Sequence, residues 1–423
     1  MKSKEEIMLL IEDEDVEFIR LQFVDIFGNL KNIAVTPGQM GRVMNNEYSF
    51  DGCAMFDGLY PFEEELFLRP DFDSFVVLPW RPQQGRVAKI ICDVCKEDGT
   101  VLELSPRTIL SRIIESGREK GYTCMVNAEC EFFLFHTDDN GIPTITTHEK
   151  AGYMDVGPAD FGENARRDMV LNLEEMGFEI ESSHHEGAPA QHEIDFRQEE
   201  GLKTADALTT FKFAVRSIAK RFGLYATFMP KPRMDVAGSG MHLNFSVYKD
   251  DVNLFDDYDT ARYFIGGVLK YAREICAITN PLVNSYKRLL SGFEAPINID
   301  WSTKGESCLV KLRKIFGETK IELRFPDPSA NPYLALAVCF AAGYYGIEDK
   351  IDPDKFISEL SEEQKKLPMN LKDALVEMKN SKFVREVLGD DFVDIYTSVK
   401  EKEWNEYMLQ VSDWEVNRYL SKM

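Results

Sequence analysis

The periodicity of the apolar residues changes near residue 105, and this change divides the chain into two parts. Between residues 16 and 100, apolar and polar residues alternate in short runs separated by turn signals, which is typical of β-strands. At Ser105-Pro106 the spacing becomes helical, with a serine at the N-cap and a proline at the first helical position. We therefore predict a small β-rich domain over residues 1–104 and a large domain over residues 105–423.

In the large domain, strand patterns and helix patterns are mixed. Short apolar runs at residues 131–135 and 241–248 predict strands, whereas residues 163–177, 205–223 and 331–347 have helical spacing. From about residue 352 onward the chain is charged and helical. This mixture predicts an α+β fold.

The charge balance limits the partners of this protein. Its 423 residues include 49 Lys and Arg but 72 Asp and Glu, which gives a formal net charge of −23. Such a surface repels phosphate backbones, so we expect neither nucleic acid nor an anionic membrane as a main partner, although a nucleotide needs only one positive pocket. The N-terminal segment lacks a long apolar core, and no apolar stretch reaches the roughly 20 residues of a membrane span, which predicts a cytoplasmic protein.

Acidic residues inside apolar strand patterns are the most informative feature for function. Glu129 and Glu131 border the apolar run 132–135 and would point to the same face of a strand. Two carboxylates side by side on a partly buried face repel each other unless one is protonated or a cation lies between them. The pair therefore indicates either a strand end with solvated glutamates or part of a metal site.

Further segments strengthen the metal interpretation. Residues 182–195 (SSHHEGAPAQHEID) contain three of the six histidines and two glutamates, Glu186 and Glu193. A glycine-rich turn precedes a strand that begins with His242, and Glu322 lies in another apolar strand flanked by cations. Several carboxylates with one imidazole suit Mg²⁺ or Mn²⁺ better than structural zinc, and such sites usually handle phosphate.

Five motifs, in this order and spacing, resemble the bacterial type I glutamine synthetases. They are ECEFFLF (129–135), SHHEGAPAQHEIDF (183–196), ATFMPKP with AGSGMH (226–242), NSYKRLLSGFEAP (284–296) and IELRFPDPSANPYLALA (321–337). The resemblance implies a small β-grasp domain, a large catalytic domain with a curved antiparallel sheet and surrounding helices, and a homo-oligomer of two stacked hexameric rings, a dodecamer. It also implies a ligase that forms glutamine from glutamate, ammonium and ATP through a γ-glutamyl phosphate.

Carried over position by position, the resemblance assigns a role to each motif residue. Two Mg²⁺ or Mn²⁺ ions would be held by two sets of ligands, Glu131, Glu186 and Glu193 for one ion and Glu129, His242 and Glu322 for the other. Substrate glutamate would be held by Gly238, Arg288 and Arg324, and ATP by Glu181, Ser246, Lys311 and Lys320. Catalysis would also involve Arg288, Asp51, which would deprotonate ammonium in the site of a neighbouring subunit, and Glu294, whose flap would close the site.

The sequence departs from the family pattern around the substrate pockets. Where the family usually has N-R-S, this chain has Gly305-Glu306-Ser307, so a negative charge replaces an arginine expected to face phosphate. Ala237 replaces an asparagine beside glutamate, and residues 54–65 are bulkier and more aromatic than usual. Three activities therefore stay open: a glutamate–ammonia ligase, a γ-glutamyl ligase for a larger amine such as a polyamine or alkylamine, and a non-catalytic regulatory paralogue.

Overall fold

The structure, a computed structural model of this chain, describes residues 2–81, 84–290, 295–305, 307–315 and 317–423. The N-terminal sheet consists of β1 (Val16–Val24), β2 (Leu30–Val35), β3 (Ser49–Asp51), β4 (Glu65–Val77) and β5 (Arg86–Cys95). Their order is β2-β1-β5-β4-β3, and β1 and β5 are parallel whereas the other neighbours are antiparallel. The strand-like alternation over residues 16–100 is therefore confirmed.

The second sheet forms the centre of the large domain. Its strands are β6 (Thr123–His136), β7 (Ile180–His185), β8 (Gln191–Phe196), β9 (Glu199–Glu200), β10 (Leu224–Thr227), β11 (Met241–Lys249), β12 (Val252–Asn253), β13 (Trp301–Ser302), β14 (Val310–Ile315) and β15 (Glu318–Leu323). The main order is β13-β14-β15-β11-β6-β8-β7, with β9 and β10 also paired to β6. These pairs are antiparallel, as predicted, except that β13 and β14 run parallel at one edge.

The helices of the chain include those that the helical spacing predicts, at residues 163–177, 205–223 and 331–347, and others that it does not single out, at residues 4–13, 40–44 and 258–279. They are α1 (Lys4–Asp13), α2 (Met40–Met44), α3 (Pro106–Glu119), α4 (Glu163–Glu175), α5 (Gly201–Ala219), α6 (Tyr258–Thr279), α7 (Ser285–Arg288), α8 (Pro332–Glu348), α9 (Pro353–Glu359), α10 (Leu371–Asn380), α11 (Lys382–Leu388), α12 (Asp390–Met408) and α13 (Asp413–Tyr419). Ser105 is the N-cap residue of α3, but its side chain makes no capping hydrogen bond. Within the described ranges, no helix combines the length and the apolar character that crossing a bilayer would require.

The core of the large domain lies between the sheet and the paired helices α6 and α8. Gly267 and Gly346 let these helices approach closely, because a Cβ added to Gly346 would lie 2.1 Å from the carbonyl oxygen of Tyr263. On the sheet side, the rings of Phe245 and Phe340 pack edge to face at 4.8 Å. This packing leaves the opposite face of the sheet for polar side chains.

An arginine at the start of α3 joins the two parts of the chain. The Arg107 guanidinium reaches Asp71 and Asp93 on the N-terminal sheet at 2.6 and 2.5 Å. It also reaches Asp206 on α5 at 3.0 Å. One planar guanidinium can serve several carboxylates at once, so Arg107 fixes the N-terminal sheet against the large domain.

Candidate active site

The predicted metal ligands lie at one face of the large sheet, five of them on neighbouring strands and Glu186 directly after β7. Glu129 on β6 is opposite His242 on β11 and, on its other side, opposite Asp195 on β8. Asn244, two residues after His242, is opposite Glu322 on β15. Because residues two apart in a strand share a face, these pairings bring side chains from distant segments onto a single surface.

Glu129, His242 and Glu322 form a close group, which we call the cation triad. His242 Nδ1 lies 3.3 Å from Glu129 Oε2 and 3.6 Å from Glu322 Oε1. Glu322 Oε1 also accepts a hydrogen bond from Arg324 Nη1 at 3.3 Å. One ligand atom from each triad member falls within 4.8 Å of the other two. Two carboxylates and an imidazole are donors that fit a divalent cation such as Mg²⁺ or Mn²⁺.

An arginine and an amide reach the triad from neighbouring strands. Arg313 Nη2 donates to Glu129 Oε1 at 2.9 Å, and Arg313 Nη1 lies 3.1 Å from Glu322 Oε2. Asn244 Nδ2 donates to Glu129 Oε1 at 2.9 Å. Burial by itself raises the pKa of Glu129, but the hydrogen bond and charge of His242, together with these donors, outweigh it and lower that pKa to about 2.

Glu131 occupies the other side of β6, directly opposite Glu193 on β8. Its Oε2 accepts hydrogen bonds from Gln191 Nε2 at 2.7 Å and from the backbone N–H of Gly240 at 2.9 Å. A Cβ added to Gly240 would lie 2.9 Å from His242 Nε2, so glycine allows this close approach. The two N–H donors fix the orientation of the Glu131 carboxylate on the ligand face.

His184 lies between the two other glutamates that the sequence assigns to the first ion. Its Nδ1 is 3.4 Å from Glu186 Oε1, and its Nε2 is 3.6 Å from Glu193 Oε1. His184 and Glu193 also form a close group with Asp195, whose ligand atoms fall within 4.8 Å of one another. The structure therefore brings Glu186 and Glu193 to one imidazole and adds an aspartate that the sequence interpretation did not include.

The carboxylates on β8 repel each other in the absence of a cation. Burial, followed by the charges of Asp195 and Glu131, raises the pKa of Glu193 well above its ordinary value. Burial, followed by the charge of Glu129, raises the pKa of Asp195 to about 6. A proton or a cation relieves this repulsion, which is the behaviour expected of ligands that share a metal.

A buried carboxylate from another segment fixes the turn that carries Glu186. Glu149 Oε1 accepts hydrogen bonds from His185 Nε2 at 2.8 Å and from the backbone N–H of Ala190, and its Oε2 accepts one from Phe161 N at 2.9 Å. His185 Nδ1 in turn donates to the carbonyl oxygen of Glu186 at 2.6 Å. Ala190 has a positive φ of 70°, so this clamp also holds a strained backbone position.

Glu149, His185 and His192 form a third close group of possible ligand atoms. Most of its ligand atoms are already engaged, because Glu149 bonds to His185 and Arg166 Nη1 donates to His192 Nδ1 at 2.8 Å, which leaves His192 Nε2 as the buried ring nitrogen without a hydrogen bond in the described contacts. A cation there would meet a guanidinium that also pairs with Asp160 at 2.7 Å. We therefore assign these residues to positioning the turn rather than to binding metal.

The predicted glutamate-binding residues lie next to the triad. Arg288 is buried, and its Nη1 and Nη2 donate to the carbonyl oxygens of Phe325 and Arg324 at 2.9 and 3.0 Å. Gly238 packs against it, since an added Cβ would lie 3.2 Å from Arg288 Cγ. These bonds use two of the five N–H groups of a guanidinium, which suits Arg288 to bind a carboxylate with the others.

The predicted ATP contacts are spread over four strands. Lys311 on β14 is directly opposite Glu322, and Lys320 lies two residues before Glu322 on β15. Ser246 is buried on β11, four residues after His242 and therefore on the same face. Glu181 is exposed on β7, at the far edge of the sheet.

Sequence comparison identifies both parts of the chain. Residues 15–97 match the family described as "Glutamine synthetase, beta-Grasp domain", and residues 103–419 match "Glutamine synthetase, catalytic domain". This chain belongs to the glutamine synthetase family. The predicted family and the predicted α+β fold with a β-grasp domain are thereby confirmed, whereas the boundary at residue 104 stays a prediction.

Relatives of this glutamine synthetase family member match it over almost its full length. A glutamine synthetase of Clostridium saccharobutylicum is 49% identical over 99% of both chains, and one of Methanosarcina mazei is 45% identical over 100% of this chain and 98% of its own. A solved structure titled as a GmaS/ADP complex superposes with a TM-score of 0.88 at 30% identity, covering 98% of this chain and 99% of its own.

Some residues that the family resemblance assigns to the site lie elsewhere or are not described. Asp51 is exposed at the end of β3, and its side chain accepts a hydrogen bond from Cys53 N at 2.9 Å. Among the described contacts, none joins Asp51 to the ligand face of its own chain. Glu294 and Glu306 lie outside the described residues, so their roles in this glutamine synthetase family member stay predictions.

The aromatic residues that follow Asp51 pack inward. Phe56 is 1% exposed, and its ring lies 5.5 Å from that of Tyr60 and 5.1 Å from that of Phe62. A Cβ added to Gly52 would lie 2.5 Å from Phe62 Cδ1. The unusual aromatic segment therefore supports the turn that presents Asp51.

Several residues on or near this face were given no role in the site by the sequence interpretation. Alternation along a strand could have found three of them, because Asn244 follows His242 by two and Gln191 and Asp195 flank Glu193 by two. Arg313 follows Lys311 by two, but alternation does not indicate that it reaches Glu129, and Glu149 carries no local signal at all. Their roles depend on pairing and packing between distant segments.

Proposed function

We propose that this protein is an ATP-dependent glutamate–ammonia ligase that forms glutamine through a γ-glutamyl phosphate. The observation that carries this proposal is the acidic sheet face with the cation triad at its centre, in a chain of the glutamine synthetase family. The relatives named glutamine synthetase, at 49% and 45% identity over nearly the full length, support the same activity.

The reaction explains why such a face is needed. A carboxylate is a poor electrophile, so its oxygen must first be converted into a phosphate leaving group by transfer of the γ-phosphoryl group of ATP. Ammonium has no lone pair, so a base must remove a proton before nitrogen attacks the acyl phosphate and phosphate leaves. The site must also exclude water, which would hydrolyse the intermediate.

A divalent metal belongs to this family's ATP-dependent chemistry, and we propose two ions per site, Mg²⁺ or Mn²⁺. One would be held by the cation triad and the other by Glu131, Glu186 and Glu193. When bound, such ions neutralise the negative charge of phosphate oxygens. The donor types support this assignment, because five carboxylates and one imidazole suit hard cations.

Cationic side chains around the face would orient the substrates. Buried Arg288, with Arg324 and the backbone at Gly238, would hold the carboxylates of glutamate. Lys311 and Lys320, with Glu181 and Ser246, would contact ATP, and Lys311 and Lys320 add positive charge beside Glu322. The GmaS structure that shares this fold was solved with ADP, which supports a nucleotide at the same face.

The exposed C-terminal segment supports assembly into a homo-oligomer. Leu409, Trp414 and Leu420 are 81%, 63% and 78% exposed around the short helix α13. Apolar side chains concentrated in this way usually mark a protein interface. We propose that α13 packs against another copy in a dodecamer, and that Asp51 serves the site of a neighbouring subunit.

The identity of the amine depends on the surroundings of Asp51. Since Tyr60 and Phe62 both pack against the buried ring of Phe56, the aromatic segment does not by itself favour a larger amine. Ammonium is therefore our proposed acceptor, and Asp51 its base. A γ-glutamyl ligase for a polyamine or alkylamine and a non-catalytic paralogue are the competing functions.

One assay separates these functions. Phosphate release from ATP would be measured with Mg²⁺ or Mn²⁺ and glutamate, adding ammonium, methylamine or a polyamine in parallel. We expect turnover with ammonium and its loss in Asp51→Asn, while Asp57→Asn, an exposed aspartate of the same turn, serves as the matched control. Turnover with an organic amine but not with ammonium would mean that the organic amine is the acceptor. No turnover with ammonium or any amine would contradict the ligase proposal.

A further inference from the structure

The position of Arg313 in the sheet is unfavourable unless something compensates its charge. In the β14–β15 ladder Arg313 is directly opposite Lys320, and two like charges at opposed positions destabilise a sheet. The compensation comes from across the face, because the Arg313 side chain extends to the carboxylates of Glu129 on β6 and Glu322 on β15.

The guanidinium of Arg313 bridges two of the three triad members. Its Nη2 is 2.9 Å from Glu129 Oε1 and its Nη1 is 3.1 Å from Glu322 Oε2, so each arm of the fork takes one carboxylate. His242 Nδ1 lies 3.3 Å from Glu129 Oε2 and 3.6 Å from Glu322 Oε1, the carboxylate oxygens that the described contacts of Arg313 do not use. The triad is thus held together by a positive group of this chain.

A divalent cation on the triad would need oxygens of these same carboxylates. A guanidinium and a divalent cation are both positive, and at such short range they repel and compete for the same oxygens. We infer that Arg313 is a built-in counter-ion of the cation triad, which preorganises the carboxylates in metal-free protein and must be displaced when the cation binds. Arg313 therefore sets the affinity of this site for its cation.

This inference rests on the proposed function, because it takes the triad as a cation site. It distinguishes Arg313 from Arg324. In the described contacts, Arg313 reaches both Glu129 and Glu322, whereas Arg324 reaches Glu322 and not Glu129. It also separates binding from catalysis, since the effect is expected on Mn²⁺ binding in the absence of any substrate. The residue is a positioning residue that acts through Glu129 and Glu322.

The test measures Mn²⁺ alone binding to the chelator-treated full chain, by titration calorimetry and by electron paramagnetic resonance. We expect Arg313→Gln to tighten Mn²⁺ binding roughly tenfold, because the competing hydrogen bond to Glu129 and the ion pair with Glu322 are lost. The midpoint of thermal unfolding of the metal-free variant should fall, and added Mn²⁺ should raise it by more than in the parent. Arg313→Lys, which keeps the charge but reaches one carboxylate at a time, should lie between the two.

The matched control is Lys314→Gln. Lys314 is the next residue of β14, is exposed, and points to the opposite face, so this variant makes the same charge change away from the triad. It should leave Mn²⁺ affinity unchanged. An equal gain in Lys314→Gln would assign the effect to net charge and overturn the inference.

A third variant separates failure of the inference from failure of the proposed site. Glu322→Gln should weaken Mn²⁺ binding if the triad is a cation site. If Glu322→Gln weakens binding but Arg313→Gln does not tighten it, the counter-ion role alone is wrong. If Glu322→Gln leaves the number and affinity of bound Mn²⁺ ions unchanged, the triad is not a cation site and both proposals are overturned.

Discussion

The two sides of strand β6 carry acidic residues on one face of one sheet, yet their charges are neutralised differently. On the β11 side, which comprises the cation triad, burial is outweighed by the hydrogen bond and charge of His242, with Arg313 and Asn244, and the pKa of Glu129 falls to about 2. On the β8 side, which comprises Glu131, Glu186, Glu193, Asp195 and His184, burial and repulsion raise the pKa of Asp195 to about 6. One side is compensated in the metal-free chain, and the other is not.

This contrast shows that the side chains supplied by the neighbouring strand determine how the charge of each group of candidate ligands is balanced. β14 brings a guanidinium to the triad, whereas β7 brings His184 and Ser182 to the carboxylates of β8. An imidazole and a hydroxyl are not permanent cations. We therefore expect the two sides to respond differently to cations, to pH and to the loss of single donors.

The largest effect is expected at Glu129, which borders both sides. Glu129→Gln removes one triad ligand and the acceptor of Arg313, so we expect kcat to fall by about 10³-fold or more, as when a preorganised electrostatic group is lost. Mn²⁺ affinity should fall as well. Steady-state assays and calorimetry would measure both quantities.

The control for this variant is Glu362→Gln. Glu362 lies between α9 and α10 and its side chain is 90% exposed, so the substitution makes the same charge change outside the strands of the sheet. It should leave kcat within twofold, roughly the range of neutral surface substitutions. If Glu129→Gln kept parental Mn²⁺ affinity, Glu129 would not be a ligand and the β11 side would need another explanation.

The next effect concerns the stability of the uncompensated β8 side. The folded-state pKa of Asp195 is raised to about 6, so its stabilising contribution is complete below the unfolded-state pKa and is lost as pH rises through about 6. In chelator, Asp195→Asn should therefore be more stable than the parent at pH 7.5, by up to ~3 kcal/mol for a shift of roughly two units. Denaturant unfolding between pH 4.5 and 7.5 measures this gap.

The gap should close as the pH falls toward about 4, because parent and variant then carry the same charge at this position. Asp139→Asn, in an exposed turn after β6, is the control and should show no such pH dependence. A variant that is less stable than the parent throughout would mean that the β8 side is compensated after all.

The sequence predicted the fold and the ligand types because both depend on local patterns. Alternation located β6 and β11, and the ionisable residues in these apolar strands, Glu129 and His242, were the candidates for ligands. Local patterns do not show which charged side chain faces which carboxylate. Arg313 contacts Glu129 across 184 positions of sequence, and only strand pairing brings them together.

The third effect is expected on the β8 side, at the amide that supports Glu131. Gln191 Nε2 donates to Glu131 Oε2 at 2.7 Å and to the carbonyl oxygen of Gly238 at 3.2 Å, so it links a proposed ligand to the proposed glutamate pocket. Gln191→Ala should weaken Mn²⁺ binding and raise KM for glutamate, each by roughly tenfold, since a hydrogen bond to a charged group is lost.

The matched substitution is Gln364→Ala, which removes an exposed amide that accepts a hydrogen bond from Ser361 N between α9 and α10. Neither constant should change there. If Gln191→Ala changed kcat but neither Mn²⁺ affinity nor KM, the amide would act in catalysis and would not support Glu131.

The smallest effect is expected for the equivalent amide on the compensated side. Asn244 Nδ2 and Arg313 Nη2 both donate to Glu129 Oε1 at 2.9 Å, so loss of the amide leaves the guanidinium in place. Asn244→Ala should therefore change Mn²⁺ affinity and kcat by only about two- to fivefold, less than Gln191→Ala on the other side.

The double variant Asn244→Ala/Arg313→Gln makes this comparison quantitative. Because the two donors share one oxygen, the loss of both should destabilise the metal-free protein by more than the sum of the single changes, which a double-mutant cycle on unfolding free energies would detect. Additive changes would mean that each donor acts alone. In that case the low pKa of Glu129 would depend chiefly on His242, and the compensated side would be held by the triad itself rather than by its neighbours.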